Sequence, residues 1–395
     1  MAFRPSRRLP ARRTSRPLAA TVGALVVCGL SAVAGVAAPA AADRAGAPGL
    51  AVQVVQRNLD IPWDLAFTDS THYLLNERPG RLWLVNTNPA VPRQRVAADF
   101  SGVVTIASGG LMGMVVDPGF ATNRLFYTCQ TNRTPKDVRV VRWRLSADGT
   151  RAVRSGTPVI SGIPLGNPHY GCRLLFLPDG SLLVGTGDAA LASGPQSLTS
   201  LAGKILRVLP NGSAPRDNPW ASATSPKRFV WNYGHRNVQG LAARPGTTQV
   251  FSAEHGPDWD DEINLVLKAR NYGWDPKGPD GYNQDVPMTD LEKFPNAVPA
   301  KWTSGASTIA PSGISFVTGS AWGTYSGQLF AALLKDEGVL ALALDAAGNV
   351  RSTAQVPELN DRFGRLRTVR QAPDGSLYVL TANGSTDQVL RVTPK

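Results

Sequence analysis

Several features that are common in other protein classes are scarce or missing in this sequence. Charged residues make up only 18% of its 395 residues, there are three cysteines and four histidines, and helical 3.6-residue periodicity is almost absent. The chain has no glycine fingerprint of a nucleotide-binding protein, no Ser-His-Asp motif and no basic stripe interleaved with aromatic residues. These absences argue against a nucleotide-binding enzyme, a serine hydrolase and a nucleic-acid-binding protein. Glycine (39) and proline (31) are abundant, which suits a chain with many tight turns.

The first 42 residues have the pattern of a secretory signal peptide. Six arginines within residues 4–16 precede an apolar run at about 18–38, and small residues at 38–42 offer cleavage positions. A membrane anchor is the alternative, but the run is rich in alanine and glycine and a cleavage pattern follows it. Because cleavage removes six arginines and no acid, the mature chain is only mildly basic. We expect a secreted or cell-envelope protein with no membrane span, whose domain covers residues 43–395.

Two cysteines remain after residue 42, namely Cys129 and Cys172. An even number of cysteines in an exported protein permits a disulfide bond. Both lie in strand-like or site-like segments, and the sequence leaves open whether they are bonded or remain two buried thiols.

A repeated motif indicates the fold. Residues 176–188 and 371–381 share a strand, an Asp-Gly turn and a second strand, and looser copies occur at 66–77, 115–127, 242–252 and 316–331. Six such units, about 50 to 75 residues apart and without helices, predict an all-β fold: a six-bladed β-propeller of four-stranded antiparallel blades. A β-sandwich with coincidental hairpins is the alternative.

We expect one propeller domain, closed by pairing residues 388–393 with residues 50–55. Residues 275–301 are interpreted as a long insertion between blades. Because loops at one end of a propeller channel converge, residues that are distant in sequence can meet there.

The densest set of polar residues lies at 231–275, where two clusters flank a short β-type segment. In the first cluster, Arg236 can clamp a carboxylate, and Asn237 and Gln239 can donate to carbonyl oxygens. A turn arginine that simply pairs with an acid is the alternative. The second cluster has a Gly-Pro bend followed by acids. Such a concentration is expected where a fold holds an anionic ligand and a metal together.

The bend in the second cluster is Gly256-Pro257, and the acids extend to Glu262. A Gly-Pro bend can direct two backbone carbonyl oxygens at one Ca²⁺, an ion that prefers oxygen ligands. Acidic runs alone are usually solvated surface, but a tryptophan and the bend beside these acids favour a metal site.

Two further groups are candidates for the same channel end. His169 is one of only four histidines, and histidine is the side chain best suited to exchange a proton near neutral pH. Lys335, Arg365 and Arg367 form a late basic set. The two arginines alternate on a predicted strand and so face one side, where they repel each other unless an anion or acids lie between them.

Together these groups resemble the soluble quinoprotein sugar dehydrogenases, the glucose/sorbosone dehydrogenase group that uses pyrroloquinoline quinone (PQQ). The resemblance spans nearly the whole mature chain, and the family's fold is a six-bladed propeller, in agreement with the repeats. The segments that carry it are 61–64, 76–81, 109–113, 203–207, 231–275, 310–313 and 364–367.

The resemblance implies a role for each matched position. His169 corresponds to the base that takes the proton from the sugar C1 hydroxyl. The backbone carbonyls of Gly256 and Pro257 correspond to ligands of the Ca²⁺ that holds and polarises the quinone, and Glu262 corresponds to a ligand of a second, structural Ca²⁺. The residues implied to bind the cofactor are Arg236, Asn237, Gln239, Lys335, Arg365 and Arg367.

The expected reaction is oxidation of an aldose-type sugar at C1 to the lactone, with hydride passing to PQQ and electrons then to an external acceptor. One alternative is a calcium-dependent lactonase on a similar propeller, which would need carboxylates converging on a channel metal and would have no use for the cationic set. The other is a non-catalytic binding propeller, against which His169 and the complete cationic set argue. No nucleic-acid partner is expected.

Overall fold

The computed structural model describes residues 46–395, so the predicted signal peptide lies outside the described residues. In this range six antiparallel sheets of four or five strands and one small hairpin are present. The first strand of each large sheet contacts the first strands of its two neighbours, and these contacts close a ring of six around a central axis. The predicted all-β fold, a six-bladed propeller of four-stranded antiparallel blades, is confirmed.

The strands are numbered in chain order, and β1 (Leu50–Leu59) precedes the first complete blade. Blade one contains β2 (Pro62–Phe67), β3 (His72–Glu77), β4 (Arg81–Asn86) and β5 (Gln94–Arg95). Blade two contains β6 (Leu111–Val116), β7 (Leu125–Asn132), β8 (Asp137–Leu145), β9 (Ala152–Arg154) and β10 (Ile160–Ile163). Blade three contains β11 (Gly171–Phe176), β12 (Leu182–Thr186), β13 (Lys204–Val208) and β14 (Val230–Tyr233).

Blade four contains β15 (Val238–Ala243), β16 (Val250–Glu254), β17 (Glu262–Leu265) and β20 (Trp302–Thr303), with the hairpin of β18 (Lys277–Gly278) and β19 (Gly281–Tyr282) inserted. Blade five contains β21 (Pro311–Phe316), β22 (Leu329–Leu333), β23 (Val339–Leu344) and β24 (Val350–Gln355). Blade six contains β25 (Leu366–Gln371), β26 (Leu377–Thr381), β27 (Asp387–Pro394) and β1.

Helices in residues 46–395 are limited to three short segments, α1 (Phe120–Asn123) and the 3₁₀ helices Pro226–Phe229 and Ser320–Tyr325. The first and the third lie between the first two strands of blades two and five, where the sequence predicted only turns. Within this part of the chain, no helix has both the length and the apolar character needed to cross a bilayer.

The six repeat units correspond to the first hairpins of the six blades. The ring closes as predicted, because β27 pairs with β1 and places Leu50 opposite Pro394 and Val54 opposite Leu390. The interpretation of residues 275–301 as an insertion between blades is wrong, since they connect β17 to β20 of the same blade. With only two residues, β20 has too little sequence pattern to mark the end of a blade.

Buried apolar side chains fill the spaces between adjacent blades. Between blades two and three this cluster includes a disulfide that joins Cys129 on β7 to Cys172 on β11. The first strands approach closely at the axis. A Cβ atom on Gly113 of β6 would lie 2.0 Å from the Cys172 carbonyl oxygen, so only glycine fits there. The disulfide between Cys129 and Cys172 shows that these residues are bonded and are not two buried thiols, the choice that the cysteine count left open.

Candidate active site

A cavity of about 400 Å³ lies at one end of the channel, beside the N-terminal ends of several first strands. It brings together residues from seven segments of the chain. Nine of the ten predicted site residues line it: His169, Arg236, Asn237, Gln239, Gly256, Pro257, Lys335, Arg365 and Arg367. Glu262 does not.

An irregularity in the first strand of every blade helps to direct side chains at this end. The pairing of each first strand with the second shifts register near its N-terminal end. In blade four the shift falls at Gln239, and in blade six it falls at Arg367. Because a bulge changes the direction of a side chain, both residues reach the cavity, and Gln239 Oε1 accepts a hydrogen bond from Arg367 Nη1 at 3.1 Å.

His169 is held against a buried acid that the sequence analysis did not identify. Its Nδ1 lies 2.8 Å from Oδ1 of Asp188, which is fully buried, whereas His169 is 8% exposed. The backbone of His169 is left-handed, with φ of 64°, a conformation in which non-glycine residues concentrate at functional sites. This contact orients the ring and leaves Nε2 as the nitrogen for proton exchange.

Asp188 also accepts three other hydrogen bonds. Ala190 N donates to Oδ1 at 2.8 Å, and Oδ2 accepts from Trp274 Nε1 at 2.8 Å and from the Tyr282 hydroxyl at 2.9 Å.

Lys204 is a buried side chain near Asp188. Its Nζ donates to the three carbonyl oxygens of Gly194, Pro195 and Ala202. Its pKa is lowered, first by burial, and the charge of Asp188 opposes that shift.

Arg236 and Arg367 are buried in the cavity wall, yet within residues 46–395 neither forms an ion pair with an acid. Arg236 donates to the carbonyl oxygens of His255 and Gly256, and the Nε atoms of both arginines have no hydrogen-bond partner. Burial, and then the neighbouring Arg173, Arg365 and Arg78, lower the pKa of Arg367 to about 9. The cavity therefore favours an anionic ligand.

Lys335 and Arg365 are exposed and form the rim of the cavity. Arg365 does not lie on the strand as predicted, because β25 begins at Leu366 after a left-handed Gly364 with φ of 67°. Its backbone N–H is instead tied to Asn383 Oδ1 at 2.9 Å. Arg365 and Arg367 nevertheless line the same cavity.

His255 also lines the cavity and was not selected from the sequence. Its Nε2 is enclosed without a hydrogen-bond partner, and the backbone of Pro311 engages the ring. Burial, followed by the charges of Arg367, Arg236 and His169, lowers the pKa of His255 to about 3. A proline has only a carbonyl to offer, so the ring donates through Nδ1 and presents Nε2 as an acceptor among cations.

The Gly256-Pro257 bend is fixed from below by Asp261, whose Oδ1 accepts from Gly256 N at 2.9 Å. A Cβ atom on Gly256 would lie 1.9 Å from the Trp259 carbonyl oxygen, so the tight turn requires glycine. The Gly256 carbonyl oxygen faces Arg236 Nη1 at 2.6 Å. Gly256 and Pro257 both line the cavity, so their carbonyls are candidate ligands for a cation that would displace the Arg236 contact.

Glu262 belongs to a different cluster. It is opposite Glu254 in the pairing of β16 with β17, and it accepts from Asn264 Nδ2 and the Thr289 hydroxyl, each at 2.9 Å. Burial, and then the charge of Glu254, raise the pKa of Glu262 to about 8. A second Ca²⁺ at Glu262 stays a prediction.

Of the residues missed by sequence reasoning, Asp188 had a usable signal. It ends the repeat unit at 176–188, where the matching unit ends at Thr381 without an acid. Buried acids also end the second strands of blades one and four, at Glu77 and Glu254, so a carboxylate at this position recurs between blades.

Comparisons with known proteins identify the family of this chain. The family model described as Glucose / Sorbosone dehydrogenase matches residues 59–391. Aldose sugar dehydrogenase YliI of Escherichia coli K12 is 32% identical, over 87% of this chain and 93% of that protein. The apo-form crystal structure of a soluble aldose sugar dehydrogenase from E. coli has a TM-score of 0.77 at 29% identity, with coverage of 88% and 100%.

A further similar structure is the PQQ-bound form of aldose sugar dehydrogenase from Streptomyces coelicolor, with a TM-score of 0.71 at 27% identity over 88% of this chain and all of that one. The family match extends over most of the chain, and the propeller fold agrees with it. The chain belongs to the glucose/sorbosone dehydrogenase family of oxidoreductases.

Proposed function

We propose that the protein oxidises an aldose-type sugar at C1 to the lactone, with PQQ as hydride acceptor and His169 as general base. The observation that carries the proposal is the cavity, which combines a His–Asp pair with four cationic side chains that have no acid partner among residues 46–395. Two relatives give the chemistry: one is named aldose sugar dehydrogenase, and another was solved in its PQQ-bound form.

The cavity residues fit PQQ, a planar quinone with three carboxylates. Arg367 and Arg236 at the base, with Lys335 and Arg365 at the rim, would neutralise the carboxylates, and the unpartnered Nε atoms of the two buried arginines are donors available to them. The carbonyls of Gly256 and Pro257 would hold Ca²⁺ against the same ligand. When bound, PQQ supplies a two-electron acceptor for hydride, which no side chain provides.

The chain's own part in the reaction is to orient the sugar and remove a proton. When Nδ1 of the neutral imidazole donates to Asp188, Nε2 carries the lone pair that can take the C1 hydroxyl proton. Asp188 then stabilises the imidazolium that forms. The cationic walls stabilise negative charge that develops on the ligand. Electrons would finally leave to an external acceptor, in keeping with the proposed site of action outside the cytoplasm.

The hydrolase alternative has less support. A calcium-dependent lactonase needs carboxylates that converge on a channel metal, and residues 46–395 contain no group of three His, Cys, Asp or Glu side chains placed to hold one. The cavity walls are instead cationic.

Reconstitution tests the proposal. Purified protein supplied with Ca²⁺ and PQQ should reduce a dye in the presence of an aldose, and a sugar panel should identify the substrate. His169→Gln should lower kcat by about 10²- to 10⁴-fold while PQQ still binds. Failure to oxidise any aldose, or full activity in His169→Gln, would contradict the proposal.

A further inference from the structure

The hairpin inserted into blade four reaches the site from outside the ring of first strands. It is formed by β18, β19 and the residues that follow, and it is called here the inserted hairpin (277–285). Its turn is exposed, with Gly281 at φ of 115°, and its base is tied by Asn283 N donating to Pro276 O at 2.7 Å. Nothing in its sequence pattern marks it as part of the site.

Two side chains of the inserted hairpin contact the two halves of the site. The Tyr282 hydroxyl donates to Asp188 Oδ2 at 2.9 Å and lies 3.5 Å from His169 Nδ1. Gln284 Oε1 accepts from Arg236 Nη2 at 3.1 Å. The hairpin is therefore attached both to the proton-accepting pair and to a cation of the ligand cavity.

We propose that Tyr282 is a positioning residue for the general base: its hydroxyl completes the hydrogen-bond shell of Asp188 and so sets the orientation and basicity of His169. The inference rests on the proposed function for the role of His169. Tyr282 and Trp274 both donate to Oδ2, which leaves Oδ1 for His169 and the Ala190 N–H. A carboxylate with fewer donors is more basic and holds its imidazolium partner more strongly.

Tyr282 remains a hydrogen-bond donor over the pH range in which His169 is titrated. Burial, and then the charge of Asp188, raise the pKa of Tyr282, so its hydroxyl keeps its proton. Other groups also act on the His169 imidazole, and they must be left unchanged in a test. The charged and titratable groups around His169 and its partner are Asp188, Tyr282, His255, Lys204, Arg236, Asp258, Lys335, Arg365 and Arg367.

The direct test is histidine NMR on ligand-free protein. The chain has only four histidines, so the ring signals of isotope-labelled histidine are few, and the signal missing in His169→Gln identifies His169. Tyr282→Phe keeps the ring and removes only the donor. Its His169 signal should titrate with a midpoint about half a pH unit higher than in the parent protein. Tyr73→Phe, which removes a buried hydroxyl with no hydrogen-bond partner in blade one, should leave the midpoint unchanged.

Kinetics on the Ca²⁺- and PQQ-loaded enzyme give the second readout. In Tyr282→Phe the acidic limb of kcat/KM should move to higher pH by the same amount. At a pH on that limb kcat should fall by up to about threefold, the loss that a half-unit shift allows, with KM little changed. A parallel shift of both readouts supports the inference. An unchanged His169 midpoint overturns it and leaves the proposed function intact. A shifted midpoint in a protein that oxidises no sugar overturns the proposed function and leaves the coupling between Tyr282 and His169.

Discussion

Buried arginines occur in two neighbouring regions of the channel, and their partners differ. Below the cavity is a plug, formed by Asp64, Arg173 and Arg370, in which Asp64 pairs with Arg173 at 2.8 Å and with Arg370 at 3.1 Å. In the cavity, the hydrogen-bond acceptors of Arg367 within the described part of the chain are the neutral Gln239 and Ser312 side chains. In the plug one carboxylate offsets part of the arginine charge, whereas the cavity leaves its positive charge for a ligand to balance.

The two regions share a residue. Gln239 accepts from Arg173 Nε through its backbone oxygen at 2.7 Å and from Arg367 through its side chain. Burial lowers the pKa of both arginines, to about 10 for Arg173 and about 9 for Arg367. Asp64 is the first charge to oppose the shift at Arg173, whereas at Arg367 three arginines add to the shift before Asp387 opposes it. Stability should therefore depend on the plug, and ligand binding on the cavity.

The largest expected effect comes from breaking the plug. Asp64→Ala leaves two arginines without their shared acid, so we expect the free energy of unfolding to fall by about 3–5 kcal/mol, measured by urea denaturation. Arg367→Met is the matched variant in the cavity. It removes a buried cation that has no acid partner, so the ligand-free protein should keep or gain stability. Equal losses in the two variants would refute the distinction between the regions.

Glu262 is a buried carboxyl group, and it allows the same comparison to be made for negative charge. The pKa of Glu262 is about 8 in the fold against an ordinary value of 4.5, because of burial and then Glu254. A raised carboxyl pKa gives stability that is complete below pH 4.5 and is lost as the pH rises to 8. With a chelator present, Glu262→Gln should thus remove a decline of about 1.4 kcal/mol for each pH unit of this interval.

Adding Ca²⁺ to the parent protein gives a second test, which asks whether Glu262 binds the ion. If Glu262 binds a structural Ca²⁺, the ion should raise the unfolding temperature most at pH 8 and should do so less in Glu262→Gln. Stability that is independent of pH in the parent, measured with chelator, would contradict the buried carboxylate pair.

The next effect concerns affinity rather than stability. Arg367→Met should weaken PQQ binding by about 10- to 100-fold, the loss expected for one charge-assisted contact in a buried site. Tryptophan fluorescence quenching on addition of PQQ provides the measurement. Binding as tight as in the parent protein would show that the ligand does not use the base of the cavity.

The sequence predicted the propeller and nine cavity residues because their signals are local. An Asp-Gly turn between two apolar strands, or the Gly256-Pro257 bend, is visible within about ten residues. The plug was not predicted, since Asp64 and Arg173 are 109 residues apart. Nor were the register shifts that direct Gln239 and Arg367, because a bulge depends on pairing between strands. The inserted hairpin was placed wrongly for a related reason, as its blade ends with a strand of two residues.

The smallest expected effect separates the rim from the base of the cavity. Lys335 is exposed, and an ion pair at such a position is worth about 0–1 kcal/mol because water and salt screen it. Lys335→Met should therefore weaken PQQ binding only about twofold to fivefold. Raising the salt concentration from 50 to 500 mM should reduce the difference in PQQ affinity between this variant and the parent. The Debye length is about 10 Å at 0.1 M and becomes shorter as salt is added, so the exposed lysine charge is screened more strongly. Salt should change the Arg367→Met defect much less, since Arg367 is buried. If Lys335→Met weakens PQQ binding as much as Arg367→Met does, and salt does not change that loss, both cations lie in one desolvated site when PQQ is bound.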